Sequence, residues 1–171
     1  GGGNAQHTNY WDLPSIMEQP DIAWQIPLPT NGLSVNSQPA VDANGNVYID
    51  YRTTSEADPS GERKRISQVA SYTPTGEMRW KSAGVNTGRS QSIPAFLPNG
   101  DFVHMFRDGS IRSIDHSTGN EKWMVPIFAQ LNSGLGPTAG PTLDSKGNVY
   151  SGGRWDDAYF LKIDPSGKEL W

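Results

Sequence analysis

The chain contains no cysteine. No disulfide and no cysteine-based metal site can form, although this does not fix the compartment. No apolar run reaches the 18 or so residues of a membrane-spanning helix, and no stretch sustains a helical period. Basic residues are too few to dominate. Fourteen Lys and Arg against 18 Asp and Glu leave a net charge of −4, which argues against nonspecific nucleic-acid binding. Only three histidines occur, His7, His104 and His116. They share no spacing, and no His-x-x-x-His pair is present. Gly-x-Ser-x-Gly, P-loop and GxGxxG patterns are also absent. The expectation is therefore no catalytic residue, no metal and no cofactor.

Glycine and proline are plentiful, at 19 and 13 residues. Such a composition suits many short strands and turns rather than a helical core. The most informative feature is a repeated phrase ending in tryptophan. Ser71 to Trp80, Ser113 to Trp123 and Lys162 to Trp171 each carry a glycine four residues before the tryptophan. Trp24 ends a fourth, headless copy. Upstream, Gln38-Pro39-Ala40-Val41, Ile93-Pro94-Ala95-Phe96 and Gly140-Pro141-Thr142-Leu143 correspond, with prolines 55 and 47 residues apart. The turns Asn44-Gly45-Asn46, Asn99-Gly100-Asp101 and Lys146-Gly147-Asn148 follow, and then the apolar runs starting at Val47, Phe102 and Val149.

Each unit reads as four short strands. A glycine turn between two apolar runs signals a hairpin, because glycine adopts the positive φ that the turn requires. Four strands every 40 to 55 residues is the arithmetic of a propeller blade. The phrases Pro-x-Val-Asp-x-x-Gly-Asn-Val-Tyr and x-Asp-x-x-Thr-Gly-x-x-x-Trp resemble the PQQ-like, quinoprotein-type β-propeller repeat over residues 24–171. That family holds quinoprotein dehydrogenases and a non-enzymatic branch of the BamB type. The resemblance implies an all-β fold of three four-stranded blades, with Trp24, Trp80, Trp123 and Trp171 docking between neighbours. A kelch reading fits only the third unit, through Gly152-Gly153, and no Trp-Asp closes a unit as in WD40 repeats.

Domain organisation follows: a flexible N-terminal tether over 1–20, then blades over 21–80, 81–123 and 124–171. Propellers usually close with four to eight blades, so three blades leave apolar faces open. The expectation is a partial propeller, half of a six-bladed assembly of two copies, or an unusually small ring. The start Gly1-Gly2-Gly3-Asn4 fits either the residues after a lipidated cysteine or a cloning scar.

Aligning the units places Arg52, Arg107 and Arg154 at one position, the end of the second strand. Arg89 lies in a blade-to-blade connection on the same face. Arginine's planar fork suits carboxylate or phosphate. The alternative is that each pairs with a nearby carboxylate: Asp50, Asp108, or Asp156 and Asp157. The first unit carries an insertion there, Thr53 to Arg65, and the third carries Trp155 and Tyr159, which could stack on a sugar or a partner side chain. Asp42-Ala43-Asn44-Gly45-Asn46 begins like a calcium loop but lacks its later glycine and glutamate, and the hairpin explains it. His104 replaces Ile49 of the first unit and is expected to face the interior.

The resulting expectation is a non-catalytic binding scaffold for a protein or anionic ligand. By family resemblance it works in the periplasm or at the cell surface, as an outer-membrane lipoprotein whose lipid would be its membrane contact. Self-association through open blade faces is a further expectation. The alternatives are a fragment of a PQQ-dependent dehydrogenase and a polysaccharide-binding or surface-sensor module. Dehydrogenases of the family are full eight-bladed rings, and many carry a vicinal cysteine disulfide that this chain lacks.

Overall fold

The computed structural model describes residues 21–27, 35, 38–86, 93–106, 108–127, 140–152 and 160–171. Among these there is no helix. The first sheet runs β1 (Ala40–Val41), β2 (Val47–Thr54), β3 (Arg65–Tyr72) and β4 (Met78–Lys81), with β5 (Val85–Asn86) also pairing to β3. The second runs β6 (Ala95–Phe96), β7 (Phe102–Met105), β8 (Ser110–Ile114) and β9 (Glu121–Pro126). The third runs β10 (Thr142–Leu143), β11 (Val149–Gly152) and β12 (Phe160–Ile163), with a single bridge from Ile163 to Glu169 where a fourth strand begins. All the ladders are antiparallel, and all but β3 with β5 join neighbours in sequence. The all-β bladed architecture expected from the repeat is thus what the chain forms.

Local chemistry sets each turn. In the first sheet Asp42 Oδ1 accepts the backbone N–H of Asn44 and Asn46, both at 2.9 Å, while Oδ2 accepts from Asn46 Nδ2 and the Tyr48 hydroxyl. Asp144 does the same in the third sheet with Lys146, Asn148 and Tyr150. Such side-chain caps pre-organise a turn that would otherwise leave N–H groups unpaired.

Strand alternation then distributes the core, since successive side chains leave opposite faces of a sheet. On the first sheet Tyr48 and Val69 face the second, joining Trp80, Phe102, Phe106 and Ile114 in one buried cluster. Tyr48 stacks on Phe102 at 5.4 Å and meets Phe96 and Trp80 edge-on at 5.0 and 5.7 Å. Ile49, Tyr51, Ala70 and Tyr72 take the other face and pack with Ile26. Val103, Met105 and Ile111 of the second sheet meet Val149, Leu161 and Ile163 of the third.

The tryptophans cross these junctions. Trp24 Nε1 donates to the Pro74 carbonyl at 2.9 Å, Trp80 Nε1 to that of His116 at 2.9 Å, and Trp123 Nε1 to that of Pro165 at 3.0 Å. Each indole lies flat on the glycine of the next unit's turn. A Cβ at Gly76, Gly119 or Gly167 would stand 2.9, 2.5 or 2.6 Å from the ring above it. The glycine therefore serves two ends, a left-handed turn and a seat for the preceding unit's indole. A register shift sits just before two of these turns, between Ser71 and Tyr72 and between Ser113 and Ile114. Such a bulge re-aims the strand as it enters the turn. Trp171 instead packs beside Phe160 and Tyr150 of its own sheet and is 59% exposed.

Candidate binding face and the polar sites between blades

Of the six candidate ligand contacts, only Arg52 is among the described residues. Arg89, Arg107, Arg154, Trp155 and Tyr159 lie outside them. Arg52 is half-buried on β2, opposite Ser67 of β3. Of the insertion expected as a loop, Thr53, Thr54 and Arg65 join the ladder, while residues 55–64 form the connecting loop. β2 and β3 are eight residues each, against four and five for β7 and β8. At about 3.3 Å per residue, the first hairpin stands on the order of 10 Å beyond the second.

The hairpin tip is ordered by its own polar groups. Ser55 N–H donates to the Lys64 carbonyl at 2.8 Å. Asp58 Oδ1 accepts Ser60 N–H, Ser60 Oγ and Glu62 N–H at 2.9, 2.6 and 3.0 Å, and the Ser60 hydroxyl leads in holding that carboxyl below the usual range. Arg63, Lys64 and Arg65 follow in line, all exposed. Because Tyr48 and Asp50 face the second sheet, alternation puts Arg52 and Thr54 on the same side, with Arg65 opposite Thr54. On that side Arg65 is exposed and Arg52 half-buried, and the tip beyond them carries Glu56, Asp58 and Glu62 as well as Arg63 and Lys64.

Below Arg52 lies a buried polar group joining two blades. Asp50 on β2 is 2% exposed and His104 on β7 is fully buried. His104 Nε2 sits 3.0 Å from Asp50 Oδ2, and Ser67 Oγ donates to Asp50 Oδ1 at 2.8 Å. With the carboxylate as acceptor, Nε2 carries the hydrogen. Serine, aspartate and histidine meet here, but the serine bonds the carboxylate rather than the imidazole, and the group is sealed from solvent. Nucleophilic catalysis needs the serine hydroxyl on the base, with access to substrate. The equivalent positions of the second and third blades are Met105 and Ser151, where Ser151 Oγ lies 3.2 Å from Met105 Sδ, also buried.

Among the described residues of the second hairpin, opposite charges meet. Arg112 binds Asp108 and Glu121, both at 2.6 Å, and lies 5.5 Å over the Phe106 ring. Asp108, which the sequence offered as a partner for a neighbouring arginine, pairs with Arg112 four residues on, and Glu121 reaches Arg112 from the adjacent strand. A cavity of about 60 Å³ between the first two blades is lined by Ser82 to Val85, Phe106, Arg112, Ile114, Gly119 and Glu121. It has room for a water or two and not for a metabolite.

At the opposite end of the second blade, sequence reasoning missed a charged cluster. Asp101, Asp115 and His116 bring ligand atoms within 4.8 Å of one another, a donor set that could hold a divalent cation. Lys122 stands among them, with Nζ 2.8 Å from Asp101 and 3.7 Å from Asp115, so an ammonium already supplies the positive charge. Burial pushes the Asp101 carboxyl up, but hydrogen bonds from Lys122 and His116 outweigh it and leave it below the usual range. The signal was present as a departure from the repeat. Leu97 stands where Asp42 and Asp144 do, Val103 replaces the tyrosine, and the carboxylate moves to the asparagine position as Asp101.

Three blade-like sheets, joined by indole-on-glycine contacts, have counterparts among solved structures. BamB from Moraxella catarrhalis superposes with a TM-score of 0.64 at 19% identity, over 88% of this chain and 40% of that one. The fold is a β-propeller. A quinohaemoprotein alcohol dehydrogenase from Comamonas testosteroni shares it, with a TM-score of 0.58 at 18% identity over 81% of this chain and 20% of that one. In sequence, the outer membrane protein assembly factor BamB of Burkholderia pseudomallei is 30% identical over 93 residues, which is 54% of this chain and 22% of the relative. No family model matches the chain. The propeller segment therefore spans less than half the length of each of these proteins.

Proposed function

We propose that this chain is part of a non-catalytic β-propeller scaffold that binds a protein partner outside the cytoplasm. The segment similar to an outer membrane protein assembly factor supports the scaffold role and the periplasmic or cell-surface location. The long first hairpin, with Arg52 and the run Arg63, Lys64 and Arg65, carries the reading of the working surface. A rigid arm bearing cations beyond its neighbouring blade suits an acidic protein surface. In the same reading, residues 1–20 act as a tether and 21–80, 81–123 and 124–171 as successive blade units. The likeness to dehydrogenases is one of fold alone, and function lives in sites rather than folds.

The test is binding of a polyglutamate peptide to the full chain by biosensor, at low and physiological salt. Changing Arg52, Arg63, Lys64 and Arg65 together to alanine removes four exposed or half-exposed cations. At a few tenths of a kcal/mol each, that weakens binding roughly tenfold and flattens its salt dependence. Equal affinity and salt slope in the variant would sink the proposed surface.

A further inference from the structure

The same two positions meet at both blade junctions, yet different chemistry occupies them. At the first junction they hold Asp50 and His104, and at the second Met105 and Ser151. Aligned on their turns, Asp50 and Met105 occupy one repeat position, and Ile49, His104 and Ser151 occupy the preceding one. All four contacting residues are buried. We propose that this pair is a register key, which specifies the blade that may pack on a given face.

The physical reason lies in the sameness of everything else. Blades built from one repeat present similar tryptophans, glycines and apolar faces, so the apolar contacts alone discriminate poorly between right and wrong neighbours. A buried carboxylate discriminates strongly, because it must find donors or remain desolvated. Asp50 receives Nε2–H from His104 and Oγ–H from Ser67. Set against the third blade it would face Ser151, and His104 set behind the second blade would face the thioether of Met105. The wrong pairings replace the imidazole–carboxylate hydrogen bond with the shorter reach of the Ser151 hydroxyl on Asp50 and leave the His104 N–H against a thioether, a weak acceptor. Discrimination by penalising mismatches is what a single buried polar residue achieves in coiled coils.

The test compares full-length variants refolded from denaturant, reading the distribution of species by light scattering and the hydrogen-exchange protection of β2, β7 and β11. His104→Gln keeps a donor for Asp50. His104→Ile installs the first blade's own residue and deletes the donor. Asp50→Met with His104→Ser gives both junctions the same key. His104→Ile is expected to lower the folding equilibrium on the order of 10²-fold or more by leaving the carboxylate short of a donor, with the double variant recovering much of that loss. The decisive result is the distribution of refolded species. Wild type and His104→Gln should refold alike, whereas His104→Ile and the double variant should give added, misassembled species with altered protection in β2 and β7. Should the double variant not fold, His104→Ile against His104→Gln makes the same comparison. Identical species from the donor-deleting and donor-keeping variants would overturn the key and leave the pair a stabilising contact only.

Discussion

Gly119→Ala tests whether the glycine before each tryptophan is kept for the turn or for the neighbouring blade. Two costs are superimposed at this position. Its φ is +77°, and a left-handed conformation costs a residue with a Cβ about 1–2 kcal/mol. The new methyl would also stand 2.5 Å from Trp80 Cε3, so the indole must lift. Lifting it breaks the bond from Trp80 Nε1 to His116, worth about 1 kcal/mol. It also disturbs the edge contact with Tyr48, worth about 0.5–1.5 kcal/mol. Gly61→Ala separates the two costs, because Gly61 has φ +83° with nothing within 4 Å of the added carbon. Gly119→Ala should therefore cost about 2 kcal/mol more than Gly61→Ala, a melting temperature about 4–8 °C lower in a chain of this size. Thermal and urea unfolding of the two full-length variants, followed by tryptophan fluorescence, supplies the measurement. Equal destabilisation within about 0.5 kcal/mol would show that the indole does not depend on the missing Cβ.

Three further outcomes are expected. Ser113 Oγ is buried without a hydrogen-bond partner, so Ser113→Ala should be neutral or stabilising by up to about 1 kcal/mol; a loss beyond 1 kcal/mol in urea melts would contradict this. The side-chain bond from Asn148 leads in holding Asp144 at about 2, and Asp42, Asp101 and Asp164 also lie below the usual value. Depressed carboxylates contribute stability that is complete above their unfolded value near 3.8 and is lost as pH falls toward 2, so a urea midpoint unchanged between pH 5 and 2.5 would count against these turns. Burial pushes the Tyr51 hydroxyl up to about 12, with Tyr72 adding to it. Burial also raises Tyr48 and Tyr72, so stability should hold up to pH 10 and then fall toward 12, with these late-titrating tyrosines, Tyr51 foremost, visible in ultraviolet absorbance.

Much of the fold was legible because the repeat states its chemistry openly. Asn-Gly and Thr-Gly turns fix hairpins locally, and β-branched and aromatic runs between them read as strands. The length of the first hairpin was harder to read. Arg52, Thr53 and Thr54 on one side and Arg65 to Ser67 on the other are too polar to look like strand, and they pair because the ladder continues from Tyr51 and Gln68. The candidate site was legible only as positions. Aligning units put arginines in register, but whether a carboxylate is a local partner depends on reach across strands. Glu121 illustrates this by reaching Arg112 from the neighbouring strand.

The sequence by itself determined the number of units, the turns, the strand order and the tryptophan period, because these rest on backbone geometry within about 50 residues. Tertiary structure alone decided what crosses between units. It brought Asp50 to His104 over 54 residues of separation and set Trp80 on Gly119. Those contacts follow from sheets packing face to face at a particular register, and a one-residue slip would send every such side chain to the other face. Local propensity carries no record of that register, which is fixed only when two complete blades meet.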